Sequence, residues 1–188
     1  MLKVFINPGH DLQLDPGACA NGLKEVEIAL AIGKYLKQIM EGIGYPCYLL
    51  QSDNLAGENP NRPNVCATAN ASGADIFVSI HCNSAANQDA KGTETLVYAN
   101  DGGKASILAS CIQNQLVRSI NTIDRGIKER PNLAVLKHTR MPATLVETAF
   151  ISNPQDAAKL KNMQYTIAAA IARGLTDYEK ALTKGQLQ

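Results

Sequence analysis

The sequence predicts an α/β fold: a single domain with a mostly parallel central sheet of about five to six strands and helices on both faces. Short β-branched runs alternate with longer segments of 3.6-residue periodicity, a pattern that fits layered strands and helices and not a bundle or sandwich. One run, Asp75-Ile-Phe-Val-Ser-Ile80, is nearly continuous in apolar residues, as expected for a strand buried on both faces. No repeat, low-complexity tract or linker divides the 188 residues, a length suited to one domain.

Taken in order, Lys3-Val-Phe-Ile6 is the first strand. A helix follows from about Lys24, with Ile28, Ile32, Leu36, Ile39 and Ile43 on one face and Gly44-Tyr-Pro46 as its stop. Cys47-Tyr-Leu-Leu50 is a second strand, and a polar loop and a short helix around residues 64–72 lead into the apolar run at Asp75. Thr93-Glu-Thr-Leu-Val-Tyr98 alternates as a strand, and Gly102-Gly103 introduces a helix with Leu108, Cys111, Ile112, Gln115 and Leu116 on one stripe. Asp124-Arg-Gly126 is expected to turn before a marginal strand, Leu133-Ala-Val-Leu136. Ala143-Thr-Leu-Val146 is the last strong strand, Asn153-Pro154 starts a helix with proline at its first position, and a closing helix carries Ile167, Ile171, Leu175, Tyr178 and Leu182.

Composition removes several function classes. Lysine and arginine number 18 against 17 acidic residues, a formal charge of +1, which argues against a dedicated nucleic-acid or polybasic membrane binder. Pro8-Gly9 interrupts the N-terminal apolar run before a signal-peptide core forms, and no later run approaches the roughly 18 residues of a membrane span, so no membrane insertion is expected. The five cysteines are odd in number and widely spaced, which indicates a reduced set or one optional bridge. A chain of this length needs no metal to hold its core, so a metal site would serve chemistry.

In open α/β sheets, ligands gather at the carboxyl ends of strands. His10 follows the first strand, His81 ends the run beginning at Asp75, and Glu147 ends the run beginning at Ala143. Imidazoles and carboxylates converging on one rim are ligands for a divalent cation, and zinc accepts both kinds. The third ligand is either Glu25, in the first turn of the first long helix, or His138. The second stands between Lys137 and Arg140, a cationic setting that opposes a metal. Glu27 and Glu94 read as solvated. Cys82, next to His81, raises a thiol hydrolase as a different enzyme class, but adjacent strand residues point to opposite faces and cannot easily form a dyad.

Several tags, Asn7-Pro-Gly-His10, Gly22-Leu-Lys-Glu25, Ala69-Asn70, Ala74-Asp75-Ile-Phe-Val-Ser-Ile-His-Cys-Asn83 and Gly92-Thr-Glu-Thr95, are followed by Arg125-Gly-Ile-Lys128, Val135-Leu136, Met141-Pro-Ala-Thr-Leu-Val-Glu147 and Phe150-Ile-Ser-Asn153. As an ordered set over residues 3–178, they resemble the zinc-dependent N-acetylmuramoyl-L-alanine amidases of type 3, which act in bacterial and phage cell-wall lysis. The resemblance implies one Zn2+ per chain held by His10, Glu25 and His81, with Glu147 as the catalytic carboxylate. It implies a catalytic domain over residues 1–182, a polar tail over residues 183–188, and peptidoglycan as substrate, cut between N-acetylmuramic acid and L-alanine. Substrate-binding residues stay unassigned, Asn83 and Arg125 being unplaced. Cys82 stands where the family pattern favours a small apolar residue.

Regulated members carry a long helical insertion after the second histidine motif, whereas residues 82–91 here form a short polar stretch. An open, constitutively active site is therefore expected, in a monomer acting at the cell wall or periplasm. With no leader in the sequence, the expectation is a cytoplasmically made phage or prophage lysin or a trimmed secreted domain. The alternative within the fold is a silent peptidoglycan-binding module.

Overall fold

The computed structural model describes residues 1–185. Strand β1 (Val4–Pro8) is followed by a small hairpin of β2 (Cys19–Ala20) and β3 (Leu23–Lys24), then by helix α1 (Glu25–Gly42). Next come β4 (Cys47–Leu49), α2 (Val65–Ala71), β5 (Ile76–Asn83) and β6 (Thr93–Val97). Helix α3 (Lys104–Ile120), β7 (Asp124–Glu129) and the short α4 (Ala134–Lys137) lead to β8 (Ala143–Phe150), α5 (Pro154–Asn162) and α6 (Gln164–Thr183).

Six strands form one sheet in the order β4-β1-β5-β8-β6-β7. Every neighbouring pair is parallel except β6 against β8. Alternation along each strand divides the core between the two faces. Val4, Ile6, Val78 and Ile80 meet Ile32 and Leu36 of α1, Ile112 and Leu116 of α3, and Ile171 and Leu175 of α6. On the other face Phe5, Phe77 and Leu145 meet Val65 and Ala69 of α2 and Val135 and Leu136 of α4. The expected layers and the mostly parallel sheet are therefore present.

Several local expectations need correction. Residues 124–126 do not turn out of the sheet: they begin edge strand β7, and Gly126, at φ +77°, sits in a bulge where the register with β6 shifts. Turn-forming residues and a β-bulge share the same chemistry, so the sequence pattern fits both. Leu133–Leu136 is not a strand. One helical turn suffices to put Val135 and Leu136 into the lower core, and a four-residue apolar run does not distinguish the two. β5 and β8 also run past His81 and Glu147, so neither residue ends its strand. In α1 the buried stripe passes from Leu36 to Met40, leaving Ile43 exposed. At the C-terminus Thr183 belongs to α6, and residues 186–188 of the expected polar tail lie outside the described residues.

Helices α3 and α6 cross closely at Gly174, where an added Cβ would stand 2.6 Å from the Ile112 Cα. Alanine normally favours a helix interior over glycine by about 1 kcal/mol. At this position the backbone clash should reverse the sign. Gly174→Ala is expected to destabilise the protein by about 1–3 kcal/mol, seen as a lower urea midpoint; an unchanged or higher midpoint would mean that the helices part freely.

Candidate metal centre and its neighbours

The centre is assembled from three segments that meet at the carboxyl end of β1. After Pro8 the chain turns sharply: the Gly9 amide donates to the Ile80 carbonyl at 2.9 Å, and His10 adopts a left-handed backbone, φ +68°. Paired backbone hydrogen bonds between Asp11 and Asp15 close the following loop and carry the Asp15 carboxylate to His10 Nδ1, 2.7 Å away. The β2–β3 hairpin then delivers Glu25 as the first residue of α1, where a carboxylate suits the positive end of the helix. β5 supplies His81.

Glu25 is 4% exposed and accepts from four donors. His10 Nε2 lies 3.0 Å from Oε2 and His81 Nδ1 2.9 Å from Oε1. The backbone amides of Ala18 and Cys82 each donate at 2.9 Å. Burial alone would raise the carboxyl pKa, but the two imidazoles and the amides outweigh it and hold Glu25 well below the usual carboxylate range. Burial likewise pulls the His10 imidazole down, and its bonds to Glu25 and Asp15 raise it to about 9.

One ligand atom from each of His10, Glu25 and His81 lies within 4.8 Å of the others. Two imidazoles with one carboxylate are a donor set for a divalent cation. The surroundings are shaped to these side chains. A Cβ on Gly9 would fall 2.2 Å from His81 Cε1, and one on Gly17 would fall 2.6 Å from His10 Cδ2 and 2.8 Å from Glu25 Oε2. The residues present therefore fit a bound metal ion. His138, the other candidate for third ligand, is exposed at the end of α4 and belongs to a separate surface depression with Asn70 and Arg140.

Glu147 stands in register between His81 of β5 and Glu94 of β6. Its Oε2 is buried and has no hydrogen-bond partner among the described residues. Burial pushes its carboxyl up to about 8, the charges of Glu25 and Glu94 add to the rise, and His10 opposes it.

Two features are not legible along the chain. Glu94 is not solvated: it is 7% exposed, accepting from Arg125 Nε at 2.8 Å and Asn83 Nδ2 at 3.0 Å. Its tag, Gly92-Thr-Glu-Thr95, and that of Arg125 were both visible, but nothing along the chain pairs them across 31 residues. Asp15 orients a ring of the centre, and its only sequence signal was the Asp-Pro-Gly turn. Glu27, by contrast, is exposed as expected. The thiol alternative falls: Cys82 is buried in the core, its Sγ lies against Thr148, and burial pushes its pKa well above the ordinary value. All five cysteines are free.

Comparison with known proteins places these residues in context. The family model for N-acetylmuramoyl-L-alanine amidase, Amidase_3, matches residues 4–177. The chain is 38% identical over 170 residues to N-acetylmuramoyl-L-alanine amidase LytC of Bacillus subtilis, a match covering 90% of this chain and 33% of that protein. It thus spans a third of LytC. It is also 38% identical over 183 residues to the sporulation-specific N-acetylmuramoyl-L-alanine amidase of B. subtilis, covering 93% of this chain and 67% of the relative. Among solved structures, the amidase AmiC2 of Nostoc punctiforme superposes with a TM-score of 0.82 at 34% identity, over 95% of this chain and 97% of that one.

The Asp15 contact generates a test that needs no substrate. Carboxylates that accept from a ligating histidine and orient its ring typically affect metal affinity by about 10–100-fold. Asp15→Asn should weaken divalent-metal binding by about that factor in competition against a chromophoric chelator, with the far-ultraviolet spectrum unchanged. Affinity equal to the parent's would show that His10 needs no such support.

Proposed function

Because the chain belongs to the N-acetylmuramoyl-L-alanine amidase family, matched from residue 4 to residue 177, we propose that it hydrolyses the amide bond between N-acetylmuramic acid and L-alanine in peptidoglycan. The observation that carries this reading is the meeting of His10, Glu25 and His81 at one point, with Glu147 on the adjacent strand. We assign the three as ligands of one Zn2+ and Glu147 as the catalytic carboxylate, within a catalytic unit of residues 1–182 that works as a monomer at the bacterial cell wall. When bound, zinc supplies a Lewis acid that polarises a carbonyl and brings the pKa of water toward about 7.

The protein's own residues do the rest. Amide hydrolysis needs a proton taken from the attacking water and another given to the departing nitrogen, and one carboxyl can do both in turn. Glu147 suits that task because its Oε2 is engaged by no protein donor among the described residues and burial raises its carboxyl pKa above the ordinary carboxylate range. Glu25 is unsuited to it: as a proposed zinc ligand that also accepts from the Ala18 and Cys82 amides, it has no oxygen left to exchange a proton. Asp15 fixes the His10 ring.

We further propose that the site is constitutively accessible. The connection from β5 to β6, residues 84–92, contains no helix. It is tied to the start of α5, with the Ala85 amide on Ser152 Oγ at 3.0 Å, Asn153 Nδ2 on the Gln88 carbonyl at 2.7 Å, and Lys91 Nζ on Gln155 Oε1 at 3.0 Å.

Zinc analysis combined with mass spectrometry of digested peptidoglycan tests the reading. The parent should release stem peptides beginning with L-alanine, and a chelator should stop it. Glu147→Gln should keep its zinc and lose turnover by about 10²–10⁴. New glycan reducing ends in place of free stem peptides would identify a glycosidase and overturn the assignment.

A further inference from the structure

The site extends across the sheet beyond Glu147. His81 of β5, Glu147 of β8 and Glu94 of β6 are register partners in a row. On the far side of β6 the pairing shifts between Thr93 and Thr95, so that Arg125 and Gly126 together face Glu94. The bulge lets the Arg125 side chain fold back over the row.

Three restraints fix its guanidinium. Nε donates to buried Glu94 at 2.8 Å, and the guanidinium carbon lies 4.9 Å from the centre of the Phe150 ring. The stem crosses Gly92, where a Cβ would meet Arg125 Cγ and Cδ at 3.0 Å. Among the described residues neither terminal nitrogen has a hydrogen-bond partner, and the side chain is 38% exposed. Neutralising Glu94 requires only a positive charge. An immobilised plane with one edge turned outward presents the fork that binds a carboxylate through two donors. Arg62, the other arginine joined to the loops of the metal centre, is already committed to Asp11 at 3.5 Å and Gln13 at 2.7 Å.

The distances suit a peptide. Glu94 stands two strand spacings from His81, about 10 Å across the sheet, and an extended chain advances about 3.3–3.6 Å per residue. We propose that Arg125 anchors the substrate: its outward edge receives a carboxylate carried within the first three residues beyond the scissile amide, so that the protein prefers stem peptides whose carboxylate is free over their carboxamide forms. This inference rests on the amidase reading above.

The test uses two synthetic muramoyl peptides, identical except for a free or amidated side carboxyl, with the zinc-loaded parent and an Arg125→Gln variant. The parent should favour the free carboxylate by about ten- to a hundredfold in kcat/KM. Arg125→Gln should erase that preference by raising KM for the carboxylate substrate alone, with kcat nearly kept. Because removing the arginine leaves Glu94 buried without its partner, the double variant Glu94→Gln/Arg125→Gln, which removes both charges, should show the same loss of preference. Equal kcat/KM for the two peptides with the parent, or a variant that loses kcat on both alike, overturns the anchoring role while leaving the amidase reading intact. Hydrolysis of neither peptide by the parent overturns both.

Discussion

The buried carboxylate of Glu25 is the constraint around which the rest of the centre is arranged. An ionised group at this depth is costly unless every lone pair is occupied. The four donors come from different places in the chain: a ring after β1, an amide in the loop that leads into the hairpin, and a ring and an amide on β5. Satisfying Glu25 therefore ties the start of α1 to two strands and a loop. The same contacts that make the charge tolerable also bring the imidazoles together.

The second organising element is the reversal of direction at β8. A purely parallel sheet would have continued beyond Glu147 with another strand pointing the same way. Instead β6 runs antiparallel, placing Glu94 directly against Glu147, and β7 adds Arg125 after it. Imidazole, acid, acid and guanidinium then follow one another across adjacent strands. A linear arrangement of this kind suits an extended substrate lying across the strands, because successive groups of the polymer meet successive rows of the sheet.

How much of this could be read along the chain depended on what carried the information. Layering, strand order of appearance and most helices were legible because they rest on local periodicity: Ile28, Ile32 and Leu36 recur as a helix must, and the Asp75 run is apolar as a central strand must be. The positions of His10, Glu25, His81 and Glu147 near one rim followed from the same pattern together with the ordered tags. What could not be read was anything decided by pairing. Glu94 looks like an ordinary solvated glutamate in Thr93-Glu-Thr95, and only the register of β6 with β8 buries it. Residues 124–126 have the composition of a turn, and only a neighbouring strand makes them a bulge. Residues 133–136 are apolar and short, so the lower core, not the sequence, chose a helical turn.

Hydrogen-bond accounting separates Glu147 from Glu25 and Glu94 and supports the proposal that it is the residue that carries a proton. Glu25 has His10 beside it and two amides on its oxygens, and Glu94 has Arg125 and Asn83. The oxygens of both are occupied by these partners. Glu147 lies between them with no cation or donor of its own, so the two neighbouring negative charges act on it unopposed except by His10. A carboxyl in that position is displaced toward neutrality by its surroundings and not by any bond it makes, so no hydrogen bond must break when its proton moves. With the oxygens of Glu25 and Glu94 occupied, Glu147 is the carboxyl of the row whose Oε2 has no hydrogen-bond partner among the described residues.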